Sequence, residues 1–158
     1  PLRGTFTKSD WEYTLKQPID GAKPVKLKLA GSEGTGYIKG VDATTKLSAE
    51  NYGNYGVVYR VNFTVASERP LSFILNPIGG YFAGYGVLEH EGQRQLIALP
   101  EYDLCLGETV EEAVELAKLK AGRYSFVWSP PGASNLPIEL IWRSSKSSLN
   151  KAYARSGA

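Results

Sequence analysis

Apolar residues return at every second position along much of this chain, most regularly from Val57 onward. There Val57, Tyr59, Val61, Phe63 and Val65 share one face, and Val58, Arg60, Asn62 and Thr64 share the other. This alternation predicts a half-buried strand over 57–66, of the kind found in antiparallel sheets. The same period sets Trp11, Tyr13 and Leu15 against Glu12, Thr14 and Lys16, and sets Val25, Leu27 and Leu29 against Lys26 and Lys28. Further extended segments are predicted at 2–7, 37–41, 71–75, 81–89, 94–99, 102–106, 123–128 and 137–143. Glu68-Arg69-Pro70 is expected to turn 57–66 back onto 71–75 as a hairpin. His90-Glu91-Gly92-Gln93 is expected to close a second hairpin, with Gly92 able to take positive φ. Residues 42–54 read as a longer polar connection, a place where binding groups often sit.

One segment departs from the period of two. Thr109 and Glu112 form a capping box, acids fill the first turn, and Val110, Ala113, Val114 and Ala117 recur at helical spacing before Gly122. A short helix near 109–119 is the expectation. Together the segments predict an all-β fold, an antiparallel β-sandwich or barrel-like variant of about nine strands with that one helix. Residues 1–143 read as a single domain and 144–158 as a basic Ser/Lys-rich tail or linker.

Composition narrows the function classes. The 158 residues are 42% hydrophobic and 22% charged, enough for one core without metal or disulfide support. Basic and acidic residues number 18 and 16, a balance that does not favour nucleic acid as partner. No apolar run reaches the length of a membrane-spanning helix, so no transmembrane segment is expected. Cys105 has no second cysteine with which to form an internal disulfide, and Leu104 and Leu106 beside it suggest a buried or edge-strand thiol.

Four motifs carry a family resemblance: Leu2-Arg-Gly-Thr-Phe6, Gly53-Asn-Tyr-Gly-Val-Val-Tyr59, Asn76-Pro-Ile-Gly-Gly-Tyr-Phe-Ala-Gly84 and Pro130-Pro-Gly-Ala-Ser-Asn-Leu-Pro137. Together they span most of the chain. It resembles an uncharacterised module of exported or surface-attached proteins from Gram-positive, spore-forming bacteria, found in chains that also carry copper amine oxidase N-terminal-like domains. The resemblance implies a non-catalytic module, secreted or at the cell surface, with neighbouring domains of the same parent protein among its partners. Ile78 stands where the pattern leads one to expect Arg. Amine oxidase chemistry does not follow from the association, because the chain has one histidine, His90, and Gly56 follows Asn54-Tyr55 where a quinone-forming motif needs an acid.

The candidate chemistry points to binding rather than catalysis. One Cys and one His cannot supply a structural zinc site, so no metal or cofactor is expected. Ser134 lacks the glycine two positions on that a nucleophile elbow requires, and no carboxylate pair is singled out by spacing. Sugars present flat C–H faces and fixed hydroxyls, which call for exposed aromatic rings beside amide or carboxylate groups. Asp42, Asn51, Tyr52, Asn54, Tyr55, Tyr81 and Tyr85 supply both beside flexible glycines and are the candidate ligand-binding residues, expected to meet at one edge of the sandwich. Polysaccharide or cell-wall glycan is the implied partner. A structural or protein-interaction domain without a small ligand is the alternative, and an unrecognised hydrolase the third reading.

Overall fold

A computed structural model describes residues 4–31, 36–99, 113–132 and 134–145. Among these the fold is all-β, with twelve strands and no helix. The strands are β1 (Thr5–Phe6), β2 (Asp10–Thr14), β3 (Val25–Leu29), β4 (Lys39–Val41), β5 (Ser48–Glu50) and β6 (Val58–Val65), followed by β7 (Leu71–Asn76), β8 (Gly84–His90), β9 (Gln93–Leu99), β10 (Val114–Leu119), β11 (Gly122–Trp128) and β12 (Ile138–Ser144). A five-stranded sheet runs β2-β6-β11-β8-β9, a four-stranded sheet runs β10-β7-β12-β3, and β1-β4-β5 form a small third sheet. Pairings between these strands are antiparallel except that β2 lies parallel to β6, and an isolated bridge at Ile19↔Val65 is also parallel.

The two larger sheets face each other through aromatic rings, which makes the fold sandwich-like. Phe63 on β6 lies 5.8 Å from Phe73 on β7 and 5.0 Å from Trp142 on β12. Phe126 on β11 meets Phe73 edge-on at 5.2 Å. The alternation read along β6 is realised: Tyr59, Val61, Phe63 and Val65 are buried, whereas Arg60, Asn62 and Thr64 lie on the outer face. Tyr124, Phe126 and Trp128 do the same on β11, so two neighbouring strands present matching apolar rows to the opposite sheet.

Several expectations need correction. The segment expected to be helical is extended where it is described: Val114–Leu119 pairs with β7 from Val114↔Leu75 to Leu119↔Leu71, with a bulge between Glu115 and Ala117. Its apolar residues fit a helical face and a bulged strand about equally over so short a window, and the ladder to β7 satisfies its backbone groups. Thr109, Glu112, the expected strand at 102–106 and Cys105 lie outside the described residues. The strand total exceeds nine, partly because the connection at 42–54 contains β5, which forms a hairpin with β4 (Lys39↔Glu50). Asp42 closes that hairpin: its Oδ1 accepts from the amides of Thr44 and Thr45 at 2.7 and 2.8 Å. Strands β6 and β7 do not pair as a hairpin. The chain crosses from one sheet to the other between them, so that each finds its partners elsewhere. The β8–β9 hairpin forms as expected, from Gly84↔Leu99 to His90↔Gln93, with Glu91 at φ 49° and Gly92 at φ 76° in its two-residue turn.

Phe73 touches rings from both β6 and β11 as well as Trp142. Phe73→Ala is expected to lower unfolding free energy by about 3–5 kcal/mol in urea titrations; a loss below about 1 kcal/mol would contradict this packing.

Candidate functional site

The glycine- and tyrosine-rich turns do converge. Tyr55 donates its hydroxyl to the Ser134 carbonyl at 2.7 Å, and the Asn135 amide bonds the Tyr81 carbonyl at 2.6 Å. Ser134 Oγ donates to the Ala83 carbonyl at 2.9 Å and accepts from the Ala83 amide at 3.2 Å. Gly79 lies so close to the Leu136 backbone that a Cβ there has no room. The turn at 51–56, the segment at 79–84 and the loop residues 130–132 and 134–137 therefore form one corner, with buried Ser134 as the tie between two of them.

Within this corner the candidate residues divide by role. Asn54 is fully buried with φ 51°, and its Oδ1 accepts from the Ile38 amide at 2.8 Å. Its Nδ2 donates to the Gly36 carbonyl at 2.9 Å and to the Tyr59 hydroxyl at 2.7 Å. Asn51, also buried, donates from Nδ2 to the Tyr55 carbonyl at 2.9 Å. Asn54 thus anchors the 51–56 turn to residues 36–38 and Tyr59, Asn51 Nδ2 closes the turn on itself while its buried Oδ1 has no hydrogen-bond partner, and the Tyr55 hydroxyl reaches across to Ser134. Asp42 lies apart in the β4–β5 turn, where hydrogen bonds from the Thr45 and Thr44 amides hold its carboxyl below the ordinary range. Tyr52 and Tyr81 are exposed at 69% and 49%, with the Tyr52 ring edge-on to Tyr37 at 5.5 Å. Tyr85 is 66% exposed but projects from β8, on the outer face of the five-stranded sheet.

That outer face holds residues the motif reading did not select. Register aligns Thr14, Asn62, Ser125, Glu89 and Arg94, one from each strand, in a single row across the sheet. All five line a groove of about 790 Å³. Asn62 donates from Nδ2 to Glu12 Oε1 at 2.7 Å and to Thr14 Oγ1 at 3.3 Å, and its Oδ1 accepts from Ser125 Oγ at 2.5 Å. Glu89 takes Arg60 Nη1 on one oxygen at 2.6 Å and Arg94 Nη2 on the other at 3.0 Å. The hydrogen bond from Arg60 holds the Glu89 carboxyl below its ordinary range against the opposing effect of burial, and the charges of Arg60 and Arg94 add to that depression. The adjacent row runs Glu12, Arg60, Val127, Val87 and Leu96, and Leu96 is 68% exposed.

His90 stacks on Tyr124 with ring centroids 4.1 Å apart, and its Nδ1 is bonded to the Arg123 carbonyl at 2.9 Å. Among the described residues no group of three His, Cys, Asp or Glu side chains is placed to hold a metal ion, and no helix is long and apolar enough to cross a membrane. Comparison with protein-family models, curated proteins and solved structures finds no match.

Two expected outcomes follow from these contacts. Asn54→Ala removes three hydrogen bonds, two of them buried, and is expected to cost on the order of 2 kcal/mol or more in chemical unfolding, with Asn54→Gly no better than a partial rescue. Because the Glu89 carboxyl is depressed in the folded state, its stabilisation is present above the ordinary glutamate range and is lost as pH falls through the folded value. Glu89→Gln is therefore expected to be less stable than the parent at neutral pH, with the difference closing in acid; a difference that stays constant across a pH series of urea titrations would refute the assignment.

Proposed function

We propose that this chain is a non-catalytic, extracellular binding module for attachment or interaction at the cell envelope, and that its ligand is a carbohydrate held on the outer face of the five-stranded sheet. The observation that carries this reading is a preorganised polar row that shares its face with two exposed apolar side chains, Tyr85 and Leu96. Solvation alone accounts for the polar outer face of an antiparallel sheet. It does not account for Tyr85 and Leu96, each about two-thirds exposed, projecting from neighbouring strands on that face. A sugar offers both halves of the match, with C–H faces for the aromatic and aliphatic side chains and hydroxyls for the amide, hydroxyl, carboxylate and guanidinium groups. The polar side chains are already fixed by one another, so little conformational freedom is lost when a ligand arrives. The resemblance to exported surface modules supports the extracellular setting.

A structural or protein-interaction role is the second reading. It is favoured by Val58, exposed at 43% on the same face but toward its β2 side, which spreads apolar surface beyond the neighbourhood of Leu96. Binding to cell-wall and plant polysaccharides separates the two. Tyr85→Ala and Asn62→Ala are each expected to weaken polysaccharide retention by about tenfold in affinity gels while the thermal transition stays cooperative. Retention lost in Tyr52→Ala or Tyr81→Ala but intact in the outer-face variants would move the site to the turn corner. Absence of retention on every polysaccharide would leave the protein-interaction reading.

A further inference from the structure

Building on the carbohydrate reading, we propose that the groove takes an internal stretch of an uncharged, linear polysaccharide lying across the strands. The row Thr14, Asn62, Ser125, Glu89, Arg94 begins on β2 and ends on β9, the two outermost strands of the sheet. Neighbouring strands are about 4.8 Å apart, so successive side chains in the row recur at roughly the length of one sugar ring. A chain laid along it meets one hydrogen-bonding group per strand, and five strands extend well beyond a disaccharide. The neighbouring row changes from Glu12 and Arg60 to Val127, Val87 and Leu96, so over β11, β8 and β9 the ligand has a polar flank on one side and an apolar flank on the other. A ribbon-like polymer with hydroxyls along its edge and C–H groups on its face matches that division.

Charge selects the class of polymer. The guanidiniums of Arg60 and Arg94 each pair with Glu89 through one nitrogen, one on each carboxylate oxygen. Arg123 and Glu91 also line the groove, and Glu12 borders it through Asn62, so carboxylates and guanidiniums balance at three each: Glu12, Glu89 and Glu91 against Arg60, Arg94 and Arg123. A site built for uronate or phosphate polymers needs an excess of unpaired cations. Here an anionic chain gains no net attraction and meets Glu89 at the centre of the network.

Calorimetric titration of the full chain tests this, with di- and hexasaccharides of β-1,4-glucan, β-1,3-glucan, xylan and mannan, and with polygalacturonate as the charged comparator. At least one neutral hexasaccharide is expected to bind about tenfold or more tightly than its own disaccharide, with affinity nearly independent of salt. Arg94→Ala, at a largely exposed end of the row, is expected to weaken the hexasaccharide several-fold with folding intact. Equal affinity for both lengths, or preference for polygalacturonate that fades with salt, would overturn the inference while leaving carbohydrate binding standing. Failure of every saccharide to bind would remove the carbohydrate reading as well.

Discussion

The packing of four rings, Phe63, Phe73, Phe126 and Trp142, is the contact on which the rest of the molecule depends. They come from four strands distributed over two sheets, with centroids 5.0–5.8 Å apart. Large aromatic surfaces removed from water supply much of the drive for folding, and offset or edge-on contacts add a geometric preference. Because each ring occupies an inward position of its strand, their meeting settles which face of each sheet looks outward. The outer row of the five-stranded sheet is thus a consequence of the core: once Phe63 and Phe126 point in, Asn62 and Ser125 must point out.

A second constraint works at the corner formed by residues 51–56, 79–84, 130–132 and 134–137. Its backbone turns leave amides and carbonyls that a sheet ladder does not satisfy, and polar side chains take them up. Asn54 bonds three partners, Ser134 bridges to both backbone groups of Ala83, and Tyr55 reaches the Ser134 carbonyl. Residue types that suit sugar recognition are the same types that suit this work, since both tasks need short-range donors and acceptors beside an aromatic surface. Burial separates the two uses: Asn51 and Asn54 are enclosed, while Tyr52, Tyr81 and Tyr85 remain open to solvent.

The proposed binding face has the opposite construction. Its polar groups sit on strands rather than turns, so their spacing is set by the sheet and their rotamers by one another. The Glu12–Asn62–Ser125 chain of hydrogen bonds and the Arg60–Glu89–Arg94 pairing link residues on all five strands together with Thr14. Sites carried on such rigid elements hold their groups more closely in place than loop sites do. The same arithmetic that leaves these charges mutually neutralised removes a long-range field from the face, so recognition there rests on shape and hydrogen bonds.

Much of the fold was legible in the chain itself. Alternation at 57–66 assigned the inward and outward residues of β6, the segment at 123–128 was recognised as extended, and Gly92 marked the β8–β9 turn, because these signals are local: a period of two and a backbone position that tolerates positive φ. The segment at 114–119 escaped this reading because a bulge breaks its period and its pairing partner β7 lies some forty residues earlier in the chain. The β4–β5 hairpin was hidden for a related reason, since three-residue strands carry too little pattern to register. Arg60, Asn62 and Thr64 were already placed on a wet face, yet nothing in the order of residues aligned Asn62 with Ser125, or Ser125 with Glu89. The sequence by itself determined which side chains leave each strand toward solvent; only the tertiary structure decided which of them stand side by side, because strand order and register are set by long-range packing of the apolar faces, and residues far apart in the chain become neighbours only when that core closes.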